Sequence, residues 1–192
     1  MSRLDGALPG PPTAEQRSLH DEIALGRRAE HPPAFPLLDD RGLLNGPTRA
    51  WLLQPRLGAG LEKLGAAISY DMTLPARCRE AVILTVAQHH ASPFELYAHR
   101  LAAVRAGLTG AETGTLCAGH LPETTDTRER TAVEVARKLL ETGGLDDADY
   151  AAADRVLGAP GLFEVTTLVG FYTLIALQLS VYAIRPPAEE RT

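Results

Sequence analysis

Apolar residues recur at three- and four-residue spacing through most of this chain, a period that predicts helices. In Pro75 to His90 the apolar positions Val82, Ile83, Val86 and Ala87 share one helical side. Thr127 to Thr142 repeats the habit, with Ala132, Val135, Ala136, Leu139 and Leu140 in one stripe before a Gly143-Gly144 stop. Two shorter helices are predicted, Thr48 to Gln54 and Arg56 to Ser69. Ser92 caps a helix through Ala106, halted by Gly107, and Thr109 opens a short one with Glu112 three residues on, a capping-box pattern. Asp146 to Leu157 and Gly161 to about Ile184 complete the set. No alternating strand pattern or hairpin dipeptide competes, so an all-α fold is expected.

Residues 1 to 48 read differently. Pro9, Pro11, Pro12, Pro32, Pro33, Pro36 and Pro47 block long regular structure. One short helix is predicted within this arm, opened by Thr13 with Gln16 three residues later and running through Arg17 to about Arg28. An irregular arm of this length is expected to wrap over the body of the protein or over a neighbouring subunit. Near the other end, Val165 to Ile184 carries no charged side chain and is long enough to cross a bilayer. Thr166, Thr167, Tyr172, Thr173, Gln178, Ser180 and Tyr182 make it a poor lipid-facing helix. A helix buried in the core or in an oligomer interface is expected instead, with no membrane partner.

Composition narrows the function classes. A chain of 192 residues with 45% hydrophobic positions fits one globular domain with a sizeable core. A net charge of −5 without a basic run argues against a nucleic-acid partner. No positively charged start leads into an apolar stretch, so no secretory signal is expected and a cytoplasmic location is. Cys78 and Cys117 form no CxxC pair, which predicts reduced thiols.

The chemistry concentrates between Arg79 and His99. Glu95 and His99 are four residues apart and share a helix side, stacked one turn from each other. Glu80, in the first turn of the preceding helix, returns toward them if the two helices form an antiparallel hairpin. Two carboxylates and an imidazole can move protons without metal or cofactor. Each residue also has a structural explanation. Ser92-Pro93-Phe94-Glu95 fits a capping box, Glu80 complements a helix dipole, and His99 fits a satisfied core histidine. His89 and His90, even with Glu95 and His99, lack HExxH or comparable spacing, so no metal and no cofactor is expected. There is also no phosphate loop, no GxGxxG after a strand and no GxSxG elbow.

These residues carry a resemblance. Arg79-Glu80 opening an apolar helix, then Ser92-Pro-Phe-Glu95, then His99, then Ala106-Gly-Leu108 resembles the carboxymuconolactone decarboxylase family, which includes the AhpD-type alkylhydroperoxidases. Leu96 stands where members commonly carry tryptophan, and Leu168 to Tyr172 is similar to the closing helix of longer members. The resemblance implies an AhpD-like helical fold with a helix-hairpin core over residues 49 to 192, assembled as a homo-oligomer, a trimer or hexamer. The peroxidase branch carries a CxxC at positions matching Ser92 and Glu95, and both thiols are missing here. The implied function is therefore acid–base chemistry on a small carboxylated lactone or activated carbonyl compound. His99, Glu95 and Glu80 are the expected catalytic residues, and Phe94, Trp51 and Ser92 the expected substrate contacts. Arg77 or Arg79 could meet a substrate carboxylate. Isomerisation, cyclisation or hydrolysis by the same residues, or a non-enzymatic helical scaffold, are the alternatives.

Overall fold

The computed structural model describes residues 2–8, 10–30, 35–123 and 126–187. Pro9, Pro32 and Pro33 of the proline-rich arm lie outside the described residues. The described chain forms helices α1 (Ala14–Leu25), α2 (Arg27–Glu30), α3 (Pro47–Trp51), α4 (Pro55–Tyr70), α5 (Ala76–His89), α6 (Pro93–Arg105), α7 (Gly110–Cys117), α8 (Thr127–Thr142) and α9 (Asp147–Val181). The one β feature among the described residues is an isolated antiparallel bridge between Leu38 and Leu44. Two compact units result, one of residues 1–71 and 177–192, the other of residues 72–176.

Local sequence explains most helix ends. Thr13 and Gln16 complete a reciprocal capping box at the start of α1, and Thr109 with Glu112 does the same for α7. Asp126 accepts from the amides of Arg128 and Glu129 to open α8, and Gly143 closes it in the left-handed region. One predicted helix differs in extent. The segment expected to reach Arg28 without interruption breaks at Gly26, whose extended backbone separates α1 from α2. The last two predicted helices, Asp146 to Leu157 and Gly161 to about Ile184, follow one another along α9 and are separated by the non-helical Gly158 (φ 69°, ψ 164°), a conformation available in practice to glycine alone.

In the first unit, α4 packs against α1 and α3. The contact is close because Gly58 has no side chain: a Cβ there would lie 2.6 Å from the Trp51 carbonyl oxygen. Leu4, Leu19, Ile23 and Leu44 from the arm are buried, so the arm contributes core to this unit. Arg28 pairs with the buried carboxylate of Glu62, Nε lying 2.9 Å from both oxygens. Ser2 and Arg3 bond to the carbonyls of Tyr182 and Val181, tying the amino-terminal turn to the end of α9.

In the second unit α5 is central. Every residue from Glu80 to Ala87 is buried, as expected of a helix covered on all sides by neighbours, here α6, α7 and α8. Ahead of it, the Glu164 carboxylate accepts from the amides of Thr73 and Leu74 at 2.6 and 2.8 Å and fixes the loop that launches α5. α9 is long and apolar enough to cross a membrane. Leu162, Val165, Leu168 and Ile175 on it are buried, whereas Phe163 is 73% exposed.

Candidate active site

The connection between α5 and α6 builds the site. α5 ends in a Schellman motif: Ala91 takes a positive φ of 46°, its amide donates to Gln88 O, and the Ser92 amide donates to Ala87 O at 2.9 Å. Ser92 is at once the last residue of that motif and the N-cap of α6. Its amide is therefore already committed and cannot receive the Glu95 carboxylate. The capping box suggested by Ser92-Pro93-Phe94-Glu95 does not form, and the Ser92 hydroxyl makes no capping bond either. This frees Glu95 from the structural role that its sequence context suggests.

Glu95 is 2% exposed, and neither carboxylate oxygen has a hydrogen-bond partner; the buried Ser92 hydroxyl oxygen also has none. Buried groups of this kind are rare, because each unmade bond costs about 1–3 kcal/mol. Burial pushes the Glu95 carboxyl up from 4.5 to about 7. The Ser92 hydroxyl lies close enough to oppose that shift without completing a hydrogen bond, and His99 opposes it through its charge. At neutral pH this side chain can both give and take a proton.

One turn further along α6, His99 Nδ1 donates to Glu80 Oε2 of α5 at 2.8 Å. Glu80 is 5% exposed and also receives Arg79 Nε on Oε1 at 3.5 Å. A carboxylate can only accept, so the Nδ1 edge carries the proton and Nε2 is the nitrogen left to exchange one. No hydrogen bond engages Nε2 among the described residues. The Tyr172 ring meets the His99 ring edge-to-face at 5.0 Å and 90°, so the imidazole is held by a bond on one edge and an aromatic contact. The hairpin thus brings together Glu80, Ser92, Glu95 and His99 within the second unit, and α9 adds Tyr172.

Sequence reading did not single out Tyr172 as a site residue. The signal available was the Leu168–Tyr172 likeness to a closing helix, which carries no spacing relation to His99. Phe94 is buried and stacks edge-to-face with Tyr97, centroids 6.4 Å apart, as a core aromatic does. Trp51 belongs to the first unit, where its indole N–H donates to Gln178 Oε1 at 3.0 Å. Arg77 is not available to a substrate. Its guanidinium holds Glu129, Glu112 and the Gly107 carbonyl, joining α5 to the starts of α7 and α8. His90 bonds to the Thr173 hydroxyl at 3.1 Å, and among the described residues no group of three or more His, Cys, Asp or Glu is arranged to hold a metal. Cys78 is buried, which pushes its thiol up to about 12 and keeps it from thiolate chemistry.

A helical hairpin carrying Glu80 opposite His99, in an all-α chain, has the AhpD-like fold. Solved structures with a similar fold include a peroxidase-related protein from Silicibacter sp. TM1040, at TM-score 0.75 and 15% identity over 98% of this chain and 93% of that one. A peroxidase-related protein with an alkylhydroperoxidase AhpD core from Ralstonia eutropha JMP134 gives TM-score 0.72 and 16% identity over the same shares. The debrominase Bmp8, in complex with 2,3,4-tribromopyrrole, gives TM-score 0.65 and 13% identity over 84% of this chain and 89% of its own. No protein-family model and no curated protein matches the sequence. Identities this low speak for the fold alone.

Proposed function

We propose that the chain is an acid–base enzyme that needs no cofactor and decarboxylates, or moves a proton on, a small carboxylated lactone or similarly activated carbonyl compound. The observation that carries this reading is the Glu80–His99 pair at 2.8 Å beside a fully buried, unpartnered Glu95 carboxyl. In the decarboxylation, the carbon–carbon bond to the substrate carboxylate breaks and its electron pair moves into the conjugated carbonyl as an enolate. CO₂ leaves, and the enolate carbon takes a proton from Nε2 of the His99 imidazolium. Glu80, itself buried, holds the ring through Nδ1 and balances its charge. Glu95, in its protonated form, offers an O–H to the carbonyl oxygen that gains charge, with the Ser92 hydroxyl beside it.

A second reading keeps every atom of the substrate: isomerisation, with Glu95 removing a proton and His99 returning one. The rise of Glu95 to about 7 favours it, because such a group serves as base and acid at one pH. A homo-oligomer is also proposed, supported by the exposed apolar Phe163, Leu174 and Leu177 on α9; sedimentation velocity tests it. For the reaction, purified protein is incubated with 4-carboxymuconolactone while CO₂ release and ultraviolet absorbance are followed, with His99→Ala as control. Turnover that disappears in the variant supports decarboxylation. Turnover unchanged in His99→Ala removes His99 from the mechanism, and solvent deuterium uptake without CO₂ release favours isomerisation.

A further inference from the structure

The first unit contains a cavity of about 590 Å³, within the range of small-molecule sites, and no residue of the Glu80–Glu95–His99 cluster lines it. Its apolar wall is formed by Leu8, Pro11, Pro12, Leu43, Leu52 and Leu53. Among the described residues Arg17, His20 and Arg49 line it and no carboxylate does, while Asp5 and Asp21, which pair with Arg49 and His20, stay out of its lining.

The cationic groups are fixed in place before any ligand arrives. Arg17 donates from Nη1 to the Pro12 carbonyl, and Arg49 Nη2 lies 3.1 Å from Asp5 Oδ1. The remaining N–H groups of both guanidinium heads make no bond among the described residues. His20 is held on both ring nitrogens, Nδ1 3.2 Å from Asp21 Oδ1 and Nε2 3.0 Å from the Gly42 carbonyl, and Asp39 accepts from the amides of Arg41 and Leu43, so the loop on the far wall is also held. A preformed pocket costs little ordering on binding. Guanidinium forks match a carboxylate geometrically, and the leucine and proline wall suits an apolar body. Among the described lining residues a cation finds no carboxylate, Asp5 and Asp21 being already paired with Arg49 and His20, and a polyanion such as a nucleoside triphosphate finds too few cations.

We propose that this cavity is a binding site for an amphipathic monocarboxylate, its carboxylate on Arg17 with Arg49 beside it and its apolar body against Leu43, Leu52 and Leu53. Isothermal titration of the full chain with 2-naphthoate and with its uncharged isostere 2-naphthamide tests this. The acid should bind about tenfold more tightly than the amide, the effect of one charge-assisted contact. Arg17→Gln should remove that preference, Arg17→Lys should retain most of it, and His99→Ala should leave it unchanged. Arg17 is an exposed residue of α1, so its substitution leaves the fold intact, which a circular-dichroism melt verifies. Equal affinity for acid and amide overturns the proposal, as does no heat at millimolar naphthoate. So does a preference that survives Arg17→Gln or disappears in His99→Ala.

Discussion

Replacing Glu95 with glutamine separates a carboxyl that burial destabilises from one the protein has arranged to keep charged. The carboxyl is pushed from 4.5 to about 7, with burial as the main cause. Between those values the folded protein keeps a proton that the unfolded chain has released, so stability falls as pH rises through that window. At about 1.4 kcal/mol per pH unit, the ionised side chain costs the fold about 3 kcal/mol above pH 7. Below pH 4.5 both states are protonated and the cost is absent. Glutamine has the same shape and no charge, so Glu95→Gln should match the parent protein at pH 4 and exceed its stability by about 3 kcal/mol at pH 8. Urea unfolding of both proteins at one protomer concentration, from pH 4 to 8.5, measures the difference and cancels the other titrating groups. A difference that stays flat with pH refutes the reasoning, and a Gln variant less stable at pH 8 shows that the carboxylate has good partners. The same variant should lose turnover, the signature of a group kept for activity at the expense of stability.

Other substitutions test neighbouring inferences. Glu80→Gln keeps an acceptor for His99 Nδ1 but removes the charge, and steady-state kinetics should show kcat lower by about 10²-fold with KM little changed; an unaltered kcat would remove Glu80 from the reaction. Arg77→Ala leaves the buried Glu129 carboxylate without its cation and should lower stability by about 3 kcal/mol in urea unfolding. Arg77, with the Thr109 amide and hydroxyl, holds the Glu112 carboxyl down at about 2, so this contribution is present above pH 4.5 and should fade as pH drops toward 2, less steeply in Arg77→Ala, where only the Thr109 bonds remain. Gly158→Ala forces a side chain into the positive-φ break of α9 and should lower the unfolding free energy by about 2 kcal/mol, whereas a gain would mean that α9 straightens.

Sequence made legible what neighbouring residues decide. The Thr13–Gln16 and Thr109–Glu112 boxes form because each is complete within four residues and nothing else claims their amides. Ser92–Glu95 has the same letters and fails, because the Schellman motif takes the Ser92 amide first. That motif was hidden because alanine, not glycine, occupies its left-handed position. The approach of Glu80 to His99 could be anticipated from a hairpin with a short break. The Tyr172 contact and the Trp51–Gln178 bond could not, since only tertiary packing joins residues so far apart in sequence. Arg77 misled for the same reason: its partners Glu112 and Glu129 begin helices well downstream.

Because Ser92 both closes α5 and opens α6, the elbow between them has no slack. One residue added between Ser92 and His99 would turn the imidazole about 100° around the α6 axis, away from Glu80. A change of length that a surface loop absorbs would here uncouple the two side chains without altering either. Variants of this chain that keep the pair must therefore accept substitutions in this stretch while refusing insertions and deletions. The spacing from Glu80 to His99 is itself a functional element, as much as the identity of either residue.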